Sequence, residues 1–320
     1  MNPSEYAYAV GRIRANEPKL LSKQDYEQLI TAPDKEAVIR LLTDKGWPLP
    51  DNAGAEDAES AMDEAWQLIR ECAPNADLLN ALIVKNDFAN LKAAIKALFS
   101  DLEPSQYFST PCTVDPALIA HAVTNRQFDE LPAFLQAPCR EAYEAVTEQQ
   151  SGQMAETVID KASLTYRSSL AAKAESKLLN DLTALECAVA DIKIALRCIF
   201  TAKSAEFMRS ALCATKYFDN EALMENADSV EKIAAFVGKT ELAFLSDAIP
   251  KGFTAVENAC QEHILRTVEK AKWEVFGPDP LIAFWIRRVN EVRNARIILS
   301  AKENNLEVNE IRRRVRGTDV

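Results

Sequence analysis

Phe88-Ala89-Asn90-Leu91-Lys92-Ala93-Ala94-Ile95-Lys96-Ala97-Leu98 returns, altered but recognisable, as Val189-Ala190-Asp191-Ile192-Lys193-Ile194-Ala195-Leu196-Arg197-Cys198-Ile199 and again as Val292-Arg293-Asn294-Ala295-Arg296-Ile297-Ile298-Leu299. In each copy a small polar residue, Asn90, Asp191 or Asn294, stands two positions before a cation, Lys92, Lys193 or Arg296. The polar residues lie 101 and 103 positions apart. Apolar side chains flank them at helical spacing, through Val84, Phe88, Leu91, Ile95 and Leu98 in the first copy and Leu185, Val189, Ile192, Leu196 and Ile199 in the second. That period puts one apolar stripe on each helix and turns the polar residue away from it, with the cation at its flank. Small or apolar residues on the far side as well imply helices sandwiched within a bundle. Two uses of the polar trio stay open: bracing neighbouring helices, or lining a shared central opening.

The repeat divides 320 residues into units of 1–108, 109–212 and 213–320. Each unit opens with short helices. Ser22-Lys-Gln-Asp25 is a capping box leading to Ile30, and Pro33 is placed in the first turn of the next helix, which carries Val38, Leu41 and Leu42. Asp115-Pro116 is an N-cap followed by proline at the first helical position, with Val123, Leu131, Phe134 and Leu135 beyond it. Asp219 caps the corresponding helix of the third unit, ahead of Leu223, Ile233, Phe236 and Val237. Longer helices follow: one through Met62, Trp66 and Ile69, a long polar helical stretch from about 140 to 178, and one from Thr254 to a stop at Gly277-Pro278. Asp279-Pro280 restarts the chain, and Leu281, Trp285, Val289, Val292, Ala295 and Leu299 recur by threes and fours.

Composition agrees with an all-α fold. Only eight glycines stand against 48% apolar residues, too few for the turns and phosphate loops of a nucleotide-binding α/β protein. A net charge of −11 argues against nucleic acid and anionic lipid as general partners. The cluster Arg312, Arg313, Arg314 and Arg316 is the local exception, either a solvated helix end favoured by the helix dipole or a docking patch for an acidic partner. Seven cysteines occur singly, with no CxxC pair, as expected for reduced thiols in a cytosolic chain. No apolar run approaches the ~18 residues that a bilayer span needs.

Chemical motifs are missing. His121 and His263 sit apart in ordinary amphipathic stretches, and no HExxH, GxxxxGK[ST], GxGxxG or GxSxG occurs. Adjacent acids such as Glu56-Asp57 and Asp63-Glu64 read as solvated surface. The expectation is therefore a non-enzymatic chain without catalytic residues, bound cofactor or metal.

Tyr6-Ala-Tyr8-Ala-Val-Gly-Arg12-Ile-Arg14, followed by Lys19-Leu-Leu-Ser-Lys23, resembles the opening of the C subunit of the bacterial and archaeal V/A-type ATPases, a relative of the d subunit of eukaryotic V-ATPases. Asn86-Asp87-Phe88-Ala-Asn90-Leu91-Lys92 is similar to that family's central-helix motif. Pro280-Leu-Ile-Ala-Phe284, Glu291-Val-Arg293-Asn294-Ala-Arg296-Ile-Ile-Leu299 and Glu310-Ile-Arg312 resemble its C-terminal block. The resemblance runs in order along nearly the whole chain and is most specific at 6–47, 84–98 and 279–316.

It implies three similar helical bundles arranged as a pseudo-threefold funnel. Such a protein sits in the rotor at the cytoplasmic face of the membrane, between the proteolipid ring and a central shaft of subunits D and F. It serves ATP synthesis or the ATP-driven transport of protons or sodium without doing chemistry itself. The partner-facing candidates are Lys92, Lys193 and Arg296, with Asn90, Asp191 and Asn294 beside them and Arg12 and Arg14 near an N-terminal surface. A helical-repeat adaptor unrelated to rotary ATPases is the competing reading, although solenoid repeats usually run 20 to 50 residues.

Overall fold

The computed structural model describes residues 3–100, 103–271 and 273–317. Within them lie sixteen α-helices joined by loops and short 3-10 turns, with no strand. In chain order they are α1 (Ala7–Asn16), α2 (Lys23–Thr31), α3 (Lys35–Asp44), α4 (Ser60–Cys72), α5 (Ala76–Ile83), α6 (Lys85–Ala97), α7 (Pro116–Asn125), α8 (Ala133–Thr147), α9 (Gly152–Lys173), α10 (Lys177–Thr201), α11 (Ala205–Ala211), α12 (Asn220–Glu225), α13 (Val230–Val237), α14 (Phe253–Ala271), α15 (Asp279–Glu303) and α16 (Val308–Arg314). The all-α expectation holds.

Local chemistry explains most helix starts. Ser22 and Asp25 make the full capping box of α2, each side chain bonding the other's backbone N–H. Asp115 caps α7 with Pro116 as its first residue, and Asp219 caps α12. Pro33 differs from expectation: it precedes α3, whose N-cap is Asp34, because the Asp34 carboxylate accepts from Ala37 N at 2.8 Å. The polar stretch from 140 to 178 breaks at Gln149–Ser151, with Ser151 capping α9. α14 ends at Ala271, six residues before the glycine-proline stop read from sequence, and Gly277 (φ +87°) turns the loop that follows.

The chain forms two compact units, Met1–Ala76 with Gln261–Val320, and Asp77–Cys260. These boundaries cut the sequence repeats at different points from 108 and 212. The first unit therefore joins the beginning of the chain to its end. Its core lays Leu29, Ile30, Val38 and Leu42 of α2 and α3 against Val292, Ala295, Ile298 and Leu299 of α15, with Ile311 of α16 alongside. Trp66 of α4 meets Trp285 of α15 with ring centroids 5.3 Å apart. Lys302 closes the end of α2 by donating to the carbonyls of Ile30 and Ala32 at 2.8 and 2.6 Å, satisfying acceptors that a helix terminus leaves over.

The second unit is built on α10. Its 25 residues bury two faces: Leu178, Leu182, Leu185, Val189, Ile192 and Leu196 on one, and Cys187, Asp191, Ala195 and Cys198 on the other. α9 packs against α8, α6 and α10. Phe88, Phe134 and Tyr166 form an aromatic cluster where α6, α8 and α9 meet, the last two rings stacked at 4.5 Å.

All four tryptophans, Trp47, Trp66, Trp273 and Trp285, belong to the first unit. Intrinsic tryptophan fluorescence therefore reports that unit selectively. Leu299→Ala removes a wholly buried side chain from its core and is expected to cost about 3 kcal/mol. The urea midpoint followed by tryptophan emission should fall accordingly, and an unchanged midpoint would contradict the core assignment.

Candidate functional site: the repeated brace and its cations

Asn90, Asp191 and Asn294 are each fully buried. In every copy the side chain grips the backbone of the segment that returns to the helix about twenty residues later. Asn90 accepts from Ser109 N at 2.6 Å and donates to Ser109 O at 3.1 Å. Asn294 does the same with Arg316, accepting from its N at 3.0 Å and donating to its O at 2.6 Å. Asp191 accepts from Cys213 N at 2.8 Å. A carboxamide presents both a donor and an acceptor, so one side chain satisfies both polar groups of a backbone unit. The bracing role is thus the one these side chains perform, and being buried they offer no surface to a partner.

The residue four positions earlier, one helical turn away on the same face, extends the brace. Asn86 donates to Pro111 O at 2.7 Å, and Asn290 donates to Arg316 O at 3.0 Å. The second copy has Cys187 here, which pairs with the Cys213 thiol. Asp87 adds three more bonds in the first copy, accepting from Thr113 N, Thr113 Oγ1 and Val114 N. The Asn-xxx-Asn spacing at 86/90 and 290/294 was present in the sequence as a signal for this. The receiving residues Ser109, Cys213 and Arg316 had no pattern to announce them.

Asp191 departs from its two counterparts. Its Oδ2 is buried without a hydrogen-bond partner, and burial pushes its carboxyl up to about 7, opposed by the bond from Cys213 N. Protonated, it regains a donor where Asn90 and Asn294 carry their NH2 groups. Glu291 of α15 is likewise raised to about 7 by burial. It accepts from Leu21 N at 2.6 Å, tying the N-terminal segment to the last long helix.

The cations behave differently. Lys92 pairs with Asp160 of α9 at 2.6 Å, Lys193 with Glu257 of α14, and Arg296 with Glu59 at the start of α4 at 2.5 Å. Each carboxylate stands on or beside the long helix that precedes a signature helix. The cation of the first copy reaches the helix before the second copy, that of the second reaches the helix before the third, and that of the third reaches the helix before the first. All three pairs are substantially exposed, which limits each to about 0–1 kcal/mol. Arg12 pairs with Glu71 at 3.1 Å. Arg14 binds Glu17 at 2.6 Å and donates to Glu274 O at 2.8 Å.

Among the described residues, no three His, Cys, Asp or Glu side chains gather as metal ligands, and no helix is long and apolar enough to cross a membrane. A family described as ATP synthase (C/AC39) subunit matches residues 9–314. The chain belongs to that family. It is 22% identical over 315 residues to the C subunit of the V-type sodium ATPase of Enterococcus hirae, covering 95% of this chain and 96% of that protein. Both matches point to the C subunit of a V-type ATPase and set aside an unrelated adaptor. The braces and cations therefore sit in a family of rotary-ATPase accessory proteins.

Asn90→Ala leaves both polar groups of Ser109 without their buried partner and is expected to lower stability by about 2–4 kcal/mol in chemical denaturation. Asp191→Asn has the opposite sign. Because the folded-state pKa of Asp191 lies above its ordinary value of 3.8, the native protein gains protons on folding. Stability is then full below about pH 4 and declines as pH rises to about 7. The asparagine variant should flatten this decline and be more stable on the order of 2 kcal/mol at pH 8, read as a higher melting temperature. Equal melting temperatures at pH 8 would overturn the assignment.

Proposed function

We propose that the chain is the non-catalytic rotor component that couples a central shaft of subunits D and F to the proteolipid ring of a V/A-type ATPase. The observation that carries this reading is the family match from residue 9 to 314 together with a C-subunit relative aligned over nearly its whole length. The part then works as a socket, peripheral to the membrane on its cytoplasmic face. It transmits torque in ATP-driven proton or sodium transport, or in ATP synthesis, with no catalytic residue or cofactor of its own.

The physical character of the chain supports a mechanical role. Two 25-residue helices, α10 and α15, are buried along most of their length. Each spans roughly 37 Å at 1.5 Å per residue, and close packing around them resists compression. The cyclic pairing of Lys92, Lys193 and Arg296 with the next repeat's long helix supports three repeats, 1–108, 109–212 and 213–320, related by a pseudo-threefold. These three cations are the proposed partner-facing residues, with Arg12 and Arg14 as secondary ones. Their ion pairs are exposed and weak, so a partner's carboxylates can replace the internal ones at little cost.

Two measurements test the reading. The chain should co-purify with the shaft pair and with the solubilised ring, and failure to capture either would count against it. Reversing all three cations, Lys92→Glu, Lys193→Glu and Arg296→Glu, should weaken shaft binding while the circular dichroism spectrum stays unchanged. An unaltered dissociation constant in calorimetry would refute their role.

A further inference from the structure

The brace of the second repeat uses sulfur where the other two use amide groups. Asn86 and Asn290 reach backbone carbonyls from the position one turn before Asn90 and Asn294. Cys187 holds that position on α10, and its thiol meets the thiol of Cys213 in the returning segment. The two cysteines stand 26 positions apart in the chain. Asp191, one turn beyond Cys187 on the same face, accepts from Cys213 N at 2.8 Å and so fixes the returning backbone against α10. Ser168 of α9 brings its Oγ to 3.5 Å from Cys187 Sγ.

Both thiols are free and buried, yet the pair is not sealed. Cys213 lines a hollow of about 300 Å³ between α9 and α10. Asp160 and Arg197 also line it and are exposed, so the hollow communicates with solvent. Its charged lining is Lys161, Lys193 and Arg197 against the single carboxylate of Asp160, an electropositive setting of the kind that favours a thiolate.

The hydrogen bond from Cys213 holds the Cys187 thiol down to about 7, with help from Ser168 and against the effect of burial. The same bond, together with burial, pushes Cys213 up. One proton is thus shared between two sulfurs near neutral pH, and the pair carries a thiolate. Arg167 and Glu186, paired with each other, act on Cys187 in opposite senses. Burial raises every one of the other five thiols, Cys72, Cys112, Cys139, Cys198 and Cys260.

We propose that Cys187 and Cys213 are a reversible redox pair, which a small hydroperoxide converts to a disulfide, making the hydrogen-bonded brace of the second repeat covalent. The thiolate sulfur attacks one peroxide oxygen, the O–O bond breaks, and the oxygen that leaves takes a proton from solvent. The second sulfur then attacks the sulfenic acid so formed. The S–S bond forms, the S–O bond breaks, and the hydroxyl departs as water with the second thiol's proton. Two thiols and one hydrogen peroxide thus give one disulfide and two waters. A dithiol reverses the step by exchange and is itself oxidised. The bond reinforces the one copy in which Asp191 makes a single backbone hydrogen bond, where Asn90 and Asn294 make two each. This chemistry needs no partner chain and is independent of the rotor reading.

Peptide mapping of the full reduced chain, after hydrogen peroxide and then alkylation, tests it. A peptide linked through Cys187 and Cys213 should appear before any oxidation of Cys72 or Cys112, the two less buried thiols, and dithiothreitol should remove it. The oxidised chain should melt about 5 °C or more higher and lose that gain on reduction. Cys213→Ser should abolish the shift and leave Cys187 as a sulfenic acid that dimedone traps. If that variant fails to fold, the double variant Cys72→Ser, Cys112→Ser keeps the pair and should still show the linked peptide and the shift. Oxidation at Cys72 or Cys112 without the linked peptide overturns the redox pair, and so do seven thiols that all stay free. A linked peptide with an unchanged melt overturns its role as a covalent brace.

Discussion

A returning stretch of irregular backbone cannot lie against a buried helix unless something there answers its N–H and C=O groups. That constraint is met three times by one side chain on each signature helix. Where the side chain is asparagine, it answers both groups at once, through Ser109 in the first copy and Arg316 in the third. The loops beyond α6 and α15 can then close directly onto the helix. Much else follows from that closure, since the segments held there lead into α7 in one case and pin the tail behind α16 in the other.

The repeated motif divides into two parts with different physics. Its polar residue is buried and bonded to backbone, so its loss strands groups in an apolar interior. Its cation is solvated and bonded to one carboxylate, so its loss barely registers in stability. The first part fixes the fold and the second contributes little to it. Two positions along a helix, about 200° of rotation, separate these roles.

The helices, their caps and the pairing of apolar stripes were readable because each depends on residues within a turn or two. Ser22 with Asp25, Asp115 with Pro116, and the stripe of α15 are local patterns. The division of the chain into compact units was not readable. Lys92 with Asp160 and Arg296 with Glu59 join residues 68 and 237 positions apart, and an exposed aspartate or glutamate looks alike wherever it pairs. Asp191 was legible as a member of the trio, but its bare oxygen was not, because that depends on Cys213 arriving from another part of the chain.

The union of both chain ends in one unit has a consequence for how the protein is made. α2 and α3 leave the ribosome early with Leu29, Val38 and Leu42 pointing at a core half of which has not been synthesised. Their partners on α15 emerge roughly 240 residues later, which at 5–20 residues per second is roughly ten to fifty seconds. The Asp77–Cys260 unit, by contrast, is one unbroken stretch of chain and has all its own residues before α15 appears. The core around α2 and α3 is therefore completed only after the Asp77–Cys260 stretch has been made.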